Sequence, residues 1–204
     1  MQTIEFHFDF GSPNAYLAHL VVPQIEARAN VQIQYVPVLL GGLFKATNNA
    51  SPMVTEKDIL NKREYRQMET ARFLRDWNVP AQVANPHFPV NTLQIMRGAT
   101  YALRAGILTP YVEAMFTSMW RKAKKMDDLD VIQSELTAAQ LPVDEILAGI
   151  AQAETKQTLI DNTQASVARG NFGSPTFFVG EQMFFGKNTC KDVEAEIERL
   201  IAER

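Results

Sequence analysis

Ser12 and the three residues after it are the part of this chain best placed to do chemistry. The segment runs Phe8-Asp9-Phe10-Gly11-Ser12-Pro13-Asn14-Ala15. Serine at an N-cap followed by proline at the first helical position is a strong helix-start signal, because proline gives up only an N–H that has no partner there. A helix start gathers free amide donors and the positive pole of the helix dipole, so Ser12 sits where an anion is favoured. Its hydroxyl caps the helix, which is worth about 1 kcal/mol, and has the chemistry to donate to a bound anion as well. A serine-histidine-aspartate nucleophile is a poor fit. His19 stands seven residues along the same helix, about 10 Å away by helical rise, and Asp9 belongs to the preceding strand. The three histidines and the single cysteine, Cys190, show no metal-ligand spacing, so no metal is expected. Gly41-Gly42 lacks the rest of a phosphate loop.

The elements that must hold Ser12 are legible around it. Ile4, Phe6, Phe8 and Phe10 alternate with Glu5, His7 and Asp9, the period of a strand with one apolar face. After Ser12, the spacing of Ala18, Val22, Ile25 and Ala29 marks the buried stripe of a first helix, which Pro23 is expected to kink. Val31, Ile33 and Tyr35 then alternate in a second strand ending at Pro37-Val38. Strand, helix and strand with short links make a right-handed crossover, so these strands are expected to be parallel neighbours. A change of pattern at Leu39 opens a largely helical block. An Asn/Ser/Thr-rich stretch over 46–55 reads as a loop. Amphipathic segments follow at about 57–77 (with Tyr65, Met68, Ala71 and Trp77 inward), 91–105, 109–124, 128–139, 143–150 and 153–169. The α/β pattern resumes at Gly170, with a compact β run over Thr176–Val179, a turn over 180–182 and a returning strand Met183-Phe184-Phe185. A last helix carries Val193, Ile197, Leu200 and Ile201 on one face. Asn188 or Thr189 is a candidate cap for it, Thr189 having capping-box spacing to Asp192.

A chain of 204 residues, 46% hydrophobic and 21% charged, has the composition of a soluble globular protein able to bury a good core. A net charge of −3 gives no general nucleic-acid footprint, while leaving room for a local basic pocket. One cysteine excludes an internal disulfide framework, and the opening residues lack a signal-peptide pattern, so a cytoplasmic location is expected. No apolar run approaches the roughly 20 residues of a membrane span.

The Ser12-Pro13-Asn14-Ala15 start and the Gly173-Ser174-Pro175-Thr176 segment together resemble the thioredoxin-like branch that holds disulfide oxidases and kappa-class glutathione transferases. There a C-x-x-C motif opens the first helix. Here Ser and Ala stand in place of the cysteines, so disulfide exchange is excluded at this position. The chain is similar in particular to the 2-hydroxychromene-2-carboxylate isomerases and kappa-class transferases. The resemblance implies a thioredoxin-like fold built from 1–38 and 170–204, with a helical insertion over 39–169, and a cis bond before Pro175. It implies glutathione as cofactor, its sulfur held by Ser12, its cysteinyl part paired with the Ser174 backbone beside Pro175, and its γ-glutamyl end clasped by Phe185-Gly186-Lys187-Asn188. Asn188 departs from the aspartate usual in that segment. Lys45 and Asn49 fall on the pattern F-K-x-T-x-N-x-x-P, with Asn48 in a left-handed turn, and with Lys57 they are candidates for the glutathione carboxylate. Lys45, His87, Phe88, Asn91 and Arg97 are candidates for an acidic aromatic substrate. The implied activity is glutathione-dependent isomerisation, with a kappa-type transferase or peroxidase, or a non-catalytic glutathione-binding protein, as alternatives, and a homodimer as the assembly. A thiol of pKa about 8.5 is only a few per cent ionised at pH 7, and each unit of lowering needs about 1.4 kcal/mol of anion stabilisation. A hydroxyl and a helix pole can supply about one to two units.

Overall fold

Strand β1 (Ile4–Phe8) lies inside the sheet, and every other part of the fold is placed relative to it. A computed structural model describes residues 3–203. β2 (Gln34–Pro37) runs parallel to β1 on one side, β3 (Thr176–Val179) antiparallel on the other, and β4 (Gln182–Phe185) completes the order β2-β1-β3-β4. The parallel pair confirms the crossover through α1 (Pro13–Ala29). α1 is continuous through Pro23, which sits on its exposed side. The helical bond to the carbonyl of residue 19 cannot form there, yet the buried stripe from Ala15 to Ile25 holds the helix together.

Between β2 and β3 come α2 (Leu40–Thr47), α3 (Pro52–Thr55), α4 (Lys62–Trp77), α5 (Leu93–Arg104), α6 (Leu108–Trp120), α7 (Leu129–Ala138), α8 (Val143–Ala151) and α9 (Ala153–Ala168). A short 3-10 turn over Lys187–Thr189 leads into α10 (Cys190–Ala202). The stretch read as a loop, 46–55, thus holds the end of α2 and the whole of α3. Gly42, in the first turn of α2, lets that helix approach α9 closely: a Cβ there would lie 3.1 Å from Thr163 Cγ2. α4 starts at Lys62, five residues later than expected, and its buried residues are Phe73 and Trp77. Tyr65, Met68 and Ala71, expected inward, are exposed. Thr189 does not cap α10 through its side chain; its hydroxyl donates to the Gly186 carbonyl at 2.8 Å. Ile201, at the frayed end of the α10 stripe, is also exposed.

The apolar residues of β1 meet helices α1 and α6 in one aromatic cluster. Phe10 packs edge-on against Phe116 at 4.8 Å, and Phe6 lies 4.9 Å from Phe177. The cluster continues without a break into α5, α7, α8 and α9. The opposite face of β1 is covered as well. His7 and Asp9 are both buried, because α9 and the loop before β3 lie over them.

Two helix crossings depend on glycine for close approach: a Cβ on Gly149 of α8 would fall 2.3 Å from the Tyr101 ring on α5, and Gly98 is tighter still. A Cβ on Gly98 of α5 would fall 2.0 Å from the hydroxyl oxygen of Tyr111, which is fully buried and donates to the Ile95 carbonyl. Gly98→Ala is therefore expected to lower stability by about 1–3 kcal/mol through overpacking, despite alanine's better helix propensity. Gly41→Ala, with nothing within 4 Å of the added methyl, should be neutral or stabilising. Urea midpoints of the two variants check the contrast.

Candidate functional site

Three helix starts converge on the Asp9 carboxylate. Asp9 is fully buried at the end of β1. Its Oδ1 accepts from the Gly11 N–H at 2.8 Å and from the Thr92 hydroxyl at 2.7 Å; its Oδ2 accepts from the Leu40 N–H at 2.7 Å. Gly11 leads into α1, Leu40 opens α2, and Thr92 precedes α5, so one carboxylate satisfies donors at three helix entrances and sits near three positive poles. Burial pushes the carboxyl above its ordinary range, and the hydrogen bonds from Leu40, Gly11 and Thr92 pull against that.

The same residue reaches the loop before β3. The Asp9 N–H donates to Ser174 Oγ at 3.0 Å, and the Ser12 hydroxyl donates to the Ser174 carbonyl at 2.8 Å. Ser12 Oγ also accepts from the Ala15 N–H at 3.1 Å, the capping bond expected of it, and only 5% of the residue is exposed. The Ser174–Pro175 bond is cis, as expected from the resemblance. Among the described residues no partner takes the Ser174 N–H. The α1 start, its serine hydroxyl and one strand-like backbone edge therefore meet at a single point.

A second network fixes the loop from behind. Asn171 Oδ1 accepts from the Gly173 N–H and the Thr176 hydroxyl, and Asn171 Nδ2 donates to Ser166 Oγ at 2.7 Å. Ser166 Oγ is 2.8 Å from His7 Nδ1, whose other ring nitrogen is 3.2 Å from Glu5. Burial holds the His7 imidazole below its ordinary value, so it is poorly charged within the sheet.

The other expected site residues divide into two groups. Asn49 donates to the Phe172 carbonyl at 3.0 Å, tying the end of α2 to the cis-proline loop, and Asn48 has φ 54° as its turn requires. Phe185 packs at a tilt against Phe172, ring centres 4.4 Å apart, and covers Gly173, where a Cβ would clash at 2.7 Å. The Gly186 N–H donates to the Pro175 carbonyl at 2.9 Å. Lys45 is exposed in the last turn of α2. Asn91 accepts from the Leu93 N–H at 3.0 Å, next to Thr92. Phe88, which forms a cis bond with Pro89, packs on Trp120, whose indole donates to the Phe10 carbonyl. His87 is exposed in the same loop.

Lys187, Lys57 and Arg97 lie in other surroundings. Lys187 is buried, 3.3 Å from Glu69, 2.9 Å from Asn188 Oδ1 and over the Phe73 ring. Burial lowers the pKa of its ammonium, and Glu69 only partly restores it. Asn188 itself is exposed. Lys57 sits on the rim of a groove between α3 and α4, 3.9 Å from Asp58. Arg97 lines a cavity between α5, α7, α8 and α9 that includes no residue of the Ser12 or cis-proline segments. The residues missed by the sequence reading are Asp9, Thr92, Ser166 and Asn171. The one available signal was an acid, Asp9, two residues before Gly11-Ser12-Pro13, close to a helix start.

A family model described as a DSBA-like thioredoxin domain matches residues 3–198. The chain belongs to that family. It is 25% identical over 202 residues, 97% of this chain and 95% of the other, to the 2-hydroxychromene-2-carboxylate isomerase of Pseudomonas putida. It is 24% identical over 201 residues to glutathione S-transferase kappa 1 of Caenorhabditis elegans, covering 91% of this chain and 86% of the other. Among solved structures, a 2-hydroxychromene-2-carboxylate isomerase superposes with TM-score 0.82 at 21% identity, over 98% of this chain and 97% of that one. A probable DsbA oxidoreductase from Streptomyces coelicolor gives 0.77 at 12% identity, over 100% and 92%. The fold is therefore the DsbA-like thioredoxin fold with a large helical insertion. Among the described residues no helix is long and apolar enough to cross a membrane.

Two outcomes follow from this geometry. Asp9→Asn puts an amide donor against one of the N–H groups now facing oxygen, so stability is expected to fall by about 2–4 kcal/mol; an unchanged urea midpoint would contradict the assigned role. Cys190 is buried and its thiol is pushed up to about 12, mainly by burial. Native protein should accordingly leave an aromatic disulfide reagent unreacted, while unfolded protein releases one equivalent.

Proposed function

We propose that this protein is a glutathione-dependent isomerase acting on an aromatic hydroxy acid of the 2-hydroxychromene-2-carboxylate kind. The observation that carries the reading is the meeting of the Ser12 hydroxyl with the Ser174 carbonyl at 2.8 Å, at the start of α1 and beside cis-Pro175. The residues fit a bound tripeptide thiol. The free Ser174 N–H and the adjacent carbonyl form an edge for strand-like pairing, and Asn49, Phe172 and Phe185 frame that edge. The curated names of the relatives point the same way.

Glutathione, when bound, would supply a thiolate that adds reversibly to an unsaturated carbon, so that rotation about the bond becomes possible before the thiol is eliminated unchanged. The chain's own part is positional and electrostatic. Ser12 exchanges its acceptor, turning its proton from the Ser174 carbonyl to the sulfur, and the α1 pole adds to the anion's stability. The Ser174 carbonyl, released by Ser12, then accepts from the peptide N–H of the cofactor. Lys45 supplies a cation for the carboxylate of cofactor or substrate, and Phe88 and Asn91 offer a wall for the ring. Arg97 is left out of this site because it lines a different cavity. Lys187, held by Glu69, serves to shape the turn that presents Gly186.

A kappa-type transferase is the second reading, favoured by the relatives of that name. It uses the same groups but consumes the thiol. The absorbance change of chromene-acid isomerisation, followed with and without glutathione, separates the two. Ser12→Ala should fold, bind glutathione and lose about fivefold in rate, the equivalent of the roughly 1 kcal/mol that the hydroxyl adds to thiolate stabilisation. Ser12→Thr, which restores the hydroxyl, should recover part of it. Full activity in Ser12→Ala, or equal rates without thiol, would remove the mechanism.

A further inference from the structure

The cavity that holds Arg97 has a consistent chemical character. Its volume is about 290 Å3, and Leu129, Ile132, Leu147 and Ile150 give it apolar walls. Its charged groups are Arg97 and Lys156, and no carboxylate lines it. Neither cation makes an ion pair among the described residues; Glu154, close to Lys156 in sequence, is engaged by Arg104. Gln94, also on the wall, carries the one buried side-chain polar atom without a partner among the described residues, its Oε1. A buried acceptor without a donor is costly and is met by a donor such as water, which a carboxylate cannot supply, so the partners open to an anion here are the two cations and not Gln94. Arg97 and Lys156 thus belong to the lining of an apolar cavity and have no counter-ion among the described residues, which gives the site a defined polarity.

We propose that this cavity is a second binding site, for a small organic carboxylate with an apolar body. The carboxylate lies between Arg97 and Lys156, and the hydrocarbon or arene part lies on the Ile132–Ile150 wall. The size is sufficient: an apolar cavity of about 150 Å3 accommodates a benzene ring. The cation pair selects for the anion, and the four aliphatic side chains select against acids too short to reach them. This site shares α5 with the Ser12 site but no lining residue, so it stands whether or not the isomerase reading holds.

Calorimetric titration of the whole protein tests it, with benzoate, benzyl alcohol and acetate as probes. Benzoate is expected to saturate one site. Benzyl alcohol, which lacks the charge, and acetate, which lacks the ring, should bind at least about tenfold more weakly. Arg97→Gln and Lys156→Gln should each weaken benzoate by about tenfold or more. Ala151→Trp, at an exposed position on the rim, should block the cavity without disturbing the core. The heat of glutathione binding should be the same in these three variants as in the native chain, which keeps this result separate from that of the Ser12 site. The proposal is overturned if benzoate gives no saturable heat, or if its heat survives undiminished in both charge variants and in Ala151→Trp.

Discussion

A buried carboxylate accepting hydrogen bonds from three helix entrances is the constraint on which the remaining geometry rests. Without it, the Gly11 N–H, the Leu40 N–H and the Thr92 hydroxyl would meet inside the protein with no acceptor. Each orphaned donor costs about 1–3 kcal/mol, and together they would force at least one helix away from the end of β1. Three positive helix poles face the carboxyl in place of a counter-cation, and the bonds from Leu40, Gly11 and Thr92 oppose the burial that pushes it upward. Because Asp9 also holds Ser174 through its own N–H, the distance between the α1 start and the cis-proline loop is set by the same residue.

The loop is gripped on its other side by amide and hydroxyl groups that carry no charge. Asn171 replaces missing backbone partners at Gly173 and Thr176, and it is oriented by Ser166, which in turn is held by His7. Every member is buried, so the network is rigid only because each donor has an acceptor. Charge on His7 would break that balance, and burial disfavours it. The outcome is a loop fixed by two independent sets of bonds, presenting one backbone edge that neither set uses.

Much of the fold could be read from periodicity. The central strand, its parallel neighbour, the final hairpin and the order of helices after residue 90 follow from apolar spacing, because those elements bury one regular stripe. Two regions could not be read this way. α2 contains two glycines and one fully buried residue, Leu43, so its helicity comes from packing against α9 and not from a stripe. α4 faces outward along most of its length, and Tyr65 and Met68, apolar at helical spacing, point to the exposed side. The candidate site was half legible. Ser12 was marked by its cap and proline, but Asp9 looked like the polar face of a strand, since nothing local shows that the starts of α2 and α5 will close over it. Lys187 was expected at a binding surface, and the partner that draws it inward, Glu69, is more than a hundred residues away in the chain.

The energies show how the work of holding a thiolate would be shared on the proposed reading. Moving the Ser12 proton from the Ser174 carbonyl to sulfur exchanges a neutral hydrogen bond, worth about 1 kcal/mol net, for a charge-assisted one worth about 1.5–3 kcal/mol. The gain of about 1 kcal/mol is less than one pKa unit. The hydroxyl alone therefore cannot ionise most of a thiol of pKa about 8.5 at neutral pH. The rest must come from the first-turn amides of α1 and its dipole, worth about 0.3–1 kcal/mol at an exposed end and up to about 2 kcal/mol where solvent is excluded. Ser12 is 5% exposed, so the larger figure applies. The strength of the pole then depends on how rigidly the start of α1 is held, which returns the chemistry to Asp9 and Gly11.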